Sequence, residues 1–443
     1  MGFDYCELFT FRSPEFMSAH RVVLNNGITV ILVENPTADI MTARFFVKTG
    51  TRCEPPHLFG LSHLLAAVMT KGTGNLSSMD IAEQVESVGA SVGAETTNDY
   101  FLFSLKTVSA DFEEILNLSA QLLRSPALPE AEVELEKRLT LQAIRAQKEQ
   151  PFAIAFSQLR EAMYRDHPYA VSTLGLESTV AGLSRLDLEN FHRTYFRPDN
   201  LIISLVGCWD LDKAIAALEN AFADWTAPPL PIPQVDLPRL TPRPTVCKTA
   251  QDTQQAIVML GYLAPSVLLK QGHQIPPEYA ALKLLNTYLG NGLSSRLFVE
   301  LREKRGLAYD VSAFYPTRLD KSQFVVYMGT APQNTAIAVE GLRVEVERLT
   351  ALYLHNDELQ TAKNKLLGQY ALGKQTNSQI AQILGWYETL GLGIEFDEMF
   401  PDAIAQVTAE EARRVASRYF IDPYISLVGP AATLNSVLPS PIS

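Results

Sequence analysis

The chain has 443 residues, 47% hydrophobic and 19% charged, which is more than one core accommodates and points to at least two globular domains. A net charge of −12 with no basic run argues against a nucleic-acid binder. The four cysteines (Cys6, Cys53, Cys208, Cys247) stand far apart with no C-x-x-C pair, which excludes a cysteine zinc knuckle and disfavours a disulfide framework.

The opening MGFDYCELFTFRSPEFMSAH has neither a basic start nor a continuous apolar stretch, so no signal peptide is expected. No segment approaches the ~20 apolar residues of a membrane helix, and a cytoplasmic location is expected. HRVVLNNGITVILVEN (20–35) predicts a hairpin turning at Asn-Asn-Gly, and IMTARFFVKTG a third strand. LSSMDIAEQVESVG, capped by serines and ended by glycine, predicts a helix. ASVGAETTNDYFLFSLKTV returns to strand, and SADFEEILNLSAQLLRS is an amphipathic helix. Residues 129–165 read as a long helical stretch interrupted near Pro151.

Proline marks the middle: APPLPIPQVDLPRLTPRP (227–244) reads as a stiff, extended linker. Both flanks end alike. LSRLDLENFHRTYFRPDNLIISLVG (183–207) and QVTAEEARRVASRYFIDPYISLVG (406–429) each give a capped helix, a Tyr-Phe pair, a proline turn and a strand closing on Ser-Leu-Val-Gly. The Tyr-Phe pairs at 195 and 419 and the glycines at 207 and 429 keep nearly the same offset, the mark of a duplication. The expected fold is α+β. Two similar domains, 18–226 and 245–432, each carry a mainly antiparallel sheet packed with helices, joined by the linker 227–244.

Two stretches bear on chemistry. In GLSHLLAAVMTKGT (60–73), His63 has Ala66 and Ala67 three and four residues later, on the same helical face. Histidines four apart with a glutamate between them can hold zinc and activate its water, the H-x-x-E-H arrangement. Here alanine replaces the glutamate and the second histidine, so His63 by itself reads as a core histidine satisfied by the backbone. The second stretch, LGNGLSSRLFVELREKRGLAYDVSAFY (289–315), predicts a helix from about Ser294 bearing Arg296, Arg302, Lys304 and Arg305, stopped by Gly306. A strand with Tyr309 near its start follows. A guanidinium and a phenol are both donors, suited to a carbonyl that gains charge during peptide hydrolysis. The alternative is a charged helix end that complements the helix dipole.

The first stretch resembles the zinc helix of the pitrilysin and mitochondrial-processing-peptidase family, G-L-x-H-x-x-E-H-x-x-x-K-G-T, matching at Gly60, Leu61, His63, Lys71, Gly72 and Thr73. The family's third ligand, a glutamate on a later helix, corresponds to Ala143 in RLTLQAIRAQ (138–147), preceded by Gln142. The second stretch is similar to the family's C-terminal signature S-S-R-L-F-x-x-L-R-E-K-x-G-L-A-Y. That similarity gives Arg302 and Tyr309 the place of the pair that binds substrate backbone and stabilises the transition state. The resemblance runs from about residue 18 to about 432, and Gly290 and Gly292 sit in a short version of a glycine-rich loop.

In this family some enzymes are split between a chain with the zinc helix and a partner that keeps only the arginine and tyrosine. The resemblance implies the second kind. It binds no metal itself, pairs with a catalytic H-x-x-E-H subunit that carries zinc, and handles extended peptides. SVGAETTNDYFLFSL (91–105) resembles the edge strand that pairs with substrate, although it could equally be an inner strand. The competing reading is a non-enzymatic scaffold or peptide-holding protein of the same descent. An active homodimer with an atypical metal site lacks ligands, since His57 falls before the helix. No phosphate loop, dinucleotide fingerprint or nucleophile elbow is present, and Cys53 and Cys208 read as small buried hydrophobes.

Overall fold

The computed structural model describes residues 18–268 and 274–435; Cys6 and most of the opening segment considered above lie outside them. The strands are β1 (Ala19–Val23), β2 (Thr29–Glu34), β3 (Ile40–Val47), β4 (Ser91–Thr96), β5 (Phe101–Val108), β6 (Leu201–Gly207), β7 (Val246–Ala250), β8 (Ala256–Ala264), β9 (Ala308–Phe314), β10 (Ser322–Thr330) and β11 (Tyr424–Gly429). They form two sheets, ordered β1-β2-β6-β3-β5-β4 and β7-β11-β8-β10-β9.

From β2 onward the two orders correspond strand for strand. Each begins with a parallel pair, β2 with β6 and β7 with β11, and continues antiparallel. The duplication read from Tyr195 and Tyr419 is therefore a repeat of topology. The sheets are mixed rather than wholly antiparallel, because the strand ending Ser-Leu-Val-Gly returns beside the opening strand after a helical crossover. In each half one face of the sheet is covered by that half's own helices, with Leu188 and Leu218 in the first core and Leu284 and Leu342 in the second.

The other faces are covered by exchange. Helix Pro151–Tyr164 of the N-terminal half lays Ala155, Leu159 and Met163 against Met259, Val325 and Val428 of the C-terminal sheet. Helix Asn377–Thr389 of the C-terminal half lays Ile380, Ala381 and Leu384 against Phe46, Ile202 and Val206 of the N-terminal sheet. Burying Ile380 and Leu384 contributes roughly 1.5–3 kcal/mol each. The duplicated serine lies beneath the exchanged helix both times: Ser426 Oγ donates to Ala155 O at 2.7 Å, and Ser204 packs under Gly385. Within the described residues no helix is long and apolar enough to cross a membrane.

Candidate functional site

His63 is carried by helix Leu61–Val68, entered from Gly60 at φ +98°. Its Leu61, Leu64, Leu65 and Val68 are buried in the first core, which fixes the rotation of the helix. His63 and Ala67 are left half-buried, while Ala66 is buried. The first helix packs against helix Glu130–Gln147, on which Glu136 and Ala143, seven residues apart, share a face.

Burial lowers the His63 pKa, and the Glu136 carboxylate opposes that shift. Glu136 is in turn held by Lys71, Nζ to Oε1 3.2 Å. Sequence reasoning missed Glu136, because one glutamate among several on an amphipathic helix reads as a solvated face. Glu54 was missed as well. It is 4% exposed and accepts from Gly60 N (2.9 Å), Ser62 N (2.6 Å) and Ser62 Oγ. Desolvation raises its pKa to about 7 despite those three donors.

The side chains around His63 do not fit a zinc ion. His63 and Glu136 face one another, but Ala66, Ala67 and Ala143 offer no lone pair. Among the described residues no group of three or more His, Cys, Asp or Glu converges. His57 lies exposed on the turn Pro56–Leu58 before the helix.

The second stretch is not a regular α-helix at its end. Phe298–Glu303 forms a π-helical turn in which Lys304 N donates to Val299 O at 3.0 Å, five residues back. Such turns concentrate at functional sites. Leu307 N then donates to Leu301 O at 2.9 Å and delivers the chain into β9.

The cations of this stretch divide. Arg296 is fixed by Glu345 (2.7 Å) and Glu300 (3.0 Å), and Glu300 also takes Lys304 at 2.8 Å. Arg302 lies exposed with its guanidinium 4.8 Å from the Phe298 ring centroid, and it has no carboxylate partner among the described residues. Tyr309 is 60% exposed near the start of β9. The two side chains stand on either side of one turn without bonding each other among the described residues.

The stretch 91–105 is a hairpin rather than one strand. β4 and β5 pair through Ser91↔Lys106 to Thr96↔Phe101 around the turn 97–100. β4 is one edge strand of its sheet, opposite β1, and β9 is one edge strand of the other, opposite β7. Cys53, Cys208 and Cys247 are free and half-buried.

Two family models match the chain: "Insulinase (Peptidase family M16)" over residues 29–177, and "Peptidase M16 inactive domain" over 182–366, a span that includes the proline-rich linker. An uncharacterized zinc protease of Bacillus subtilis, YmxG, is 27% identical over 428 residues, covering 94% of this chain and 99% of that one. One from Streptomyces coelicolor is 28% identical, covering 93% and 90%. A protease structure from Helicobacter pylori superposes with a TM-score of 0.86 at 23% identity, covering 93% of this chain and 99% of its own. A "peptidase M16 inactive domain" structure from Pseudomonas fluorescens superposes with a TM-score of 0.84 at 24% identity, covering 93% and 98%. At those identities the structures speak for the fold.

Proposed function

Because the chain belongs to the M16 peptidase family, we propose that it is the non-catalytic, substrate-binding subunit of a heterodimeric zinc metalloendopeptidase. Arg302 and Tyr309 act in trans, on a partner chain that carries an intact H-x-x-E-H helix and its zinc. One contrast carries this reading. The face bearing His63 and Ala67, with Ala143 on the helix packed against it, offers too few ligands for zinc, whereas the Arg302 guanidinium stands exposed with no carboxylate of its own chain against it among the described residues.

An arginine kept only for helix stability would gain from a nearby carboxylate, as Arg296 does. One held over an aromatic ring, seven residues before an exposed phenol, keeps its donors for a ligand. An extended peptide adds to the outer edge of β4 through backbone hydrogen bonds, which suits a broad range of sequences. The guanidinium and phenol donate to the scissile carbonyl oxygen as it gains charge. The hydrolytic water is activated by the partner chain.

The test is peptide cleavage by the purified chain alone, then mixed with a family member of the same organism bearing an intact H-x-x-E-H, each repeated with Arg302→Ala and Tyr309→Phe. Silence alone, activity on mixing and loss with either substitution is the expected pattern. Zinc-dependent cleavage by the chain alone overturns the reading. Silence of an intact complex assigns the chain to a peptide-holding or scaffold role.

A further inference from the structure

The two sheets meet at equivalent hairpins. The turn 97–100 joins β4 to β5, and residues 315–321 join β9 to β10. Asp99, in the first turn, is 4% exposed. Its carboxylate accepts from the Tyr169 hydroxyl and faces two guanidinium groups, Arg52 Nη1 at 4.0 Å and Arg318 Nη1 at 3.8 Å. Arg318 belongs to the other hairpin, and it also lies over the Tyr169 ring at 5.3 Å. A third guanidinium, that of half-buried Arg160, is close enough to Arg318 to be repelled by it.

Further bonds grip the same loop. His167 accepts from Tyr169 N at Nδ1 (3.1 Å), which leaves Nε2 to donate to Asp320 Oδ2 at 3.2 Å. The Tyr164 hydroxyl donates to Lys321 O at 3.2 Å.

The turn 97–100 is also tied to the short turn Thr51–Cys53, and the strand before it to helix Leu61–Val68. Thr51 N and Arg52 N donate to Thr97 O and Asn98 O at 3.1 Å each, and Asn98 Nδ2 donates to Thr51 Oγ1 at 2.9 Å. Thr96, the last residue of β4, donates through Oγ1 to Ser62 Oγ at 3.2 Å.

We infer that Asp99 is a positioning residue for peptide binding: it locks the free edge of β4 in place relative to the half that carries Arg302 and Tyr309. The exchanged helices hold the halves together by apolar packing and by hydrogen bonds such as Ser426 Oγ to Ala155 O and Asn377 Nδ2 to Ile40 O at 2.9 Å. A buried carboxylate facing guanidinium groups from both halves adds a lock at the turn itself, because displacement leaves like charges without their shared counter-charge. Asp99 is the carboxylate that Arg52 and Arg318 share, and Arg160 adds to the local positive charge. The inference rests on β4 receiving the peptide, as proposed above.

The test uses the full chain with Asp99→Asn, Arg318→Ala and Arg318→Lys. Asparagine keeps the shape and the bond from Tyr169 but presents no charge to the arginines. Hydrogen–deuterium exchange is expected to quicken by about tenfold or more over residues 91–100 in Asp99→Asn and Arg318→Ala, with β8 unchanged and Arg318→Lys close to the parent. In the mixed complex KM rises about tenfold while kcat stays within about twofold, the pattern of lost ground-state binding. Unchanged exchange at 91–100 in folded Asp99→Asn overturns the inference. Uniform acceleration over both sheets overturns it too, since that marks plain destabilisation. Local acceleration without activity in any mixture supports the placement by Asp99 and counts against the heterodimer reading instead.

Discussion

The Lys71 ammonium lies 3.2 Å from Glu136 Oε1, so a cation of the chain itself stands against the carboxylate nearest His63. A metal ion entering here would have to displace Lys71 and would then find one imidazole and one carboxylate, short of the three protein ligands that zinc sites use. Zinc titration is therefore expected to give no stoichiometric binding, read as metal content after dialysis, and His63→Ala is expected to change nothing. A one-to-one zinc content abolished by His63→Ala would show that His63 ligates zinc despite the alanines at 66, 67 and 143.

The exposure of Arg302 and Tyr309 predicts that their loss is felt in catalysis and hardly in stability. Removing a donor aimed at a developing oxyanion costs about 10²–10³ in kcat. Arg302→Ala is expected to lower kcat of the mixed complex by about that factor, and Tyr309→Phe by less, since one hydroxyl is removed. Both should leave the melting temperature of the isolated chain unmoved, because both side chains are exposed. Arg296→Ala should do the reverse, since its guanidinium is bound to Glu345 and Glu300.

Much of the fold was legible because it rests on local signals. Asn-Asn-Gly marks the first hairpin, proline marks the linker, and Tyr195 and Tyr419 mark the repeat. The departures at Ala66, Ala67 and Ala143 were legible because residue type alone decides whether a side chain can ligate.

The exchange of helices was not. Leu159 and Leu384 show by their spacing that each helix buries a face, but periodicity cannot say whose sheet receives it. Asp99 in a Thr-Asn-Asp turn reads as solvated, and only the arrival of Arg318 from the other half makes it a buried hub. The same holds for Glu136, whose partner Lys71 lies on a different element. The π-helical turn at Phe298–Glu303 escaped as well, since the shift from four-residue to five-residue bonding has no clear mark in residue type.

The exchanged helix Asn377–Thr389 makes a prediction whose sign is informative. Glycine within a helix costs about 1 kcal/mol against alanine, so Gly→Ala ordinarily stabilises. At Gly385 a Cβ would come within 2.3 Å of Phe46 Cε2 and 2.9 Å of Ser204 Cβ. Overpacking of that kind costs roughly 1–3 kcal/mol and outweighs the propensity gain. Gly385→Ala should therefore destabilise. Gly368, in helix Asn356–Leu372, has nothing within 4 Å of such a Cβ, so Gly368→Ala should stabilise by up to about 1 kcal/mol. Urea midpoints of the two variants would separate them. A Gly385→Ala chain as stable as its parent would mean that the helix rides looser on the N-terminal sheet than its packing indicates.

Glu54 predicts how stability depends on pH. Burial raises its pKa from 4.5 to about 7 in the folded chain, because desolvation outweighs the donors at Gly60 and Ser62. The folded state then holds a proton that the unfolded state has already released. Stability from this group is fully present below pH 4.5 and is lost as pH rises toward 7 and just beyond. The span corresponds to about 3 kcal/mol at most. Unfolding in urea at a series of pH values should show this decline, and Glu54→Gln, which cannot ionise, should flatten it. The variant is also expected to be less stable at low pH, because its amide turns a donor toward Gly60 N or Ser62 N where a carboxyl offers lone pairs. A slope over pH 5–7 that is identical in parent and variant would place the titrating group elsewhere and leave Glu54 charged, as the cap of helix Leu61–Val68.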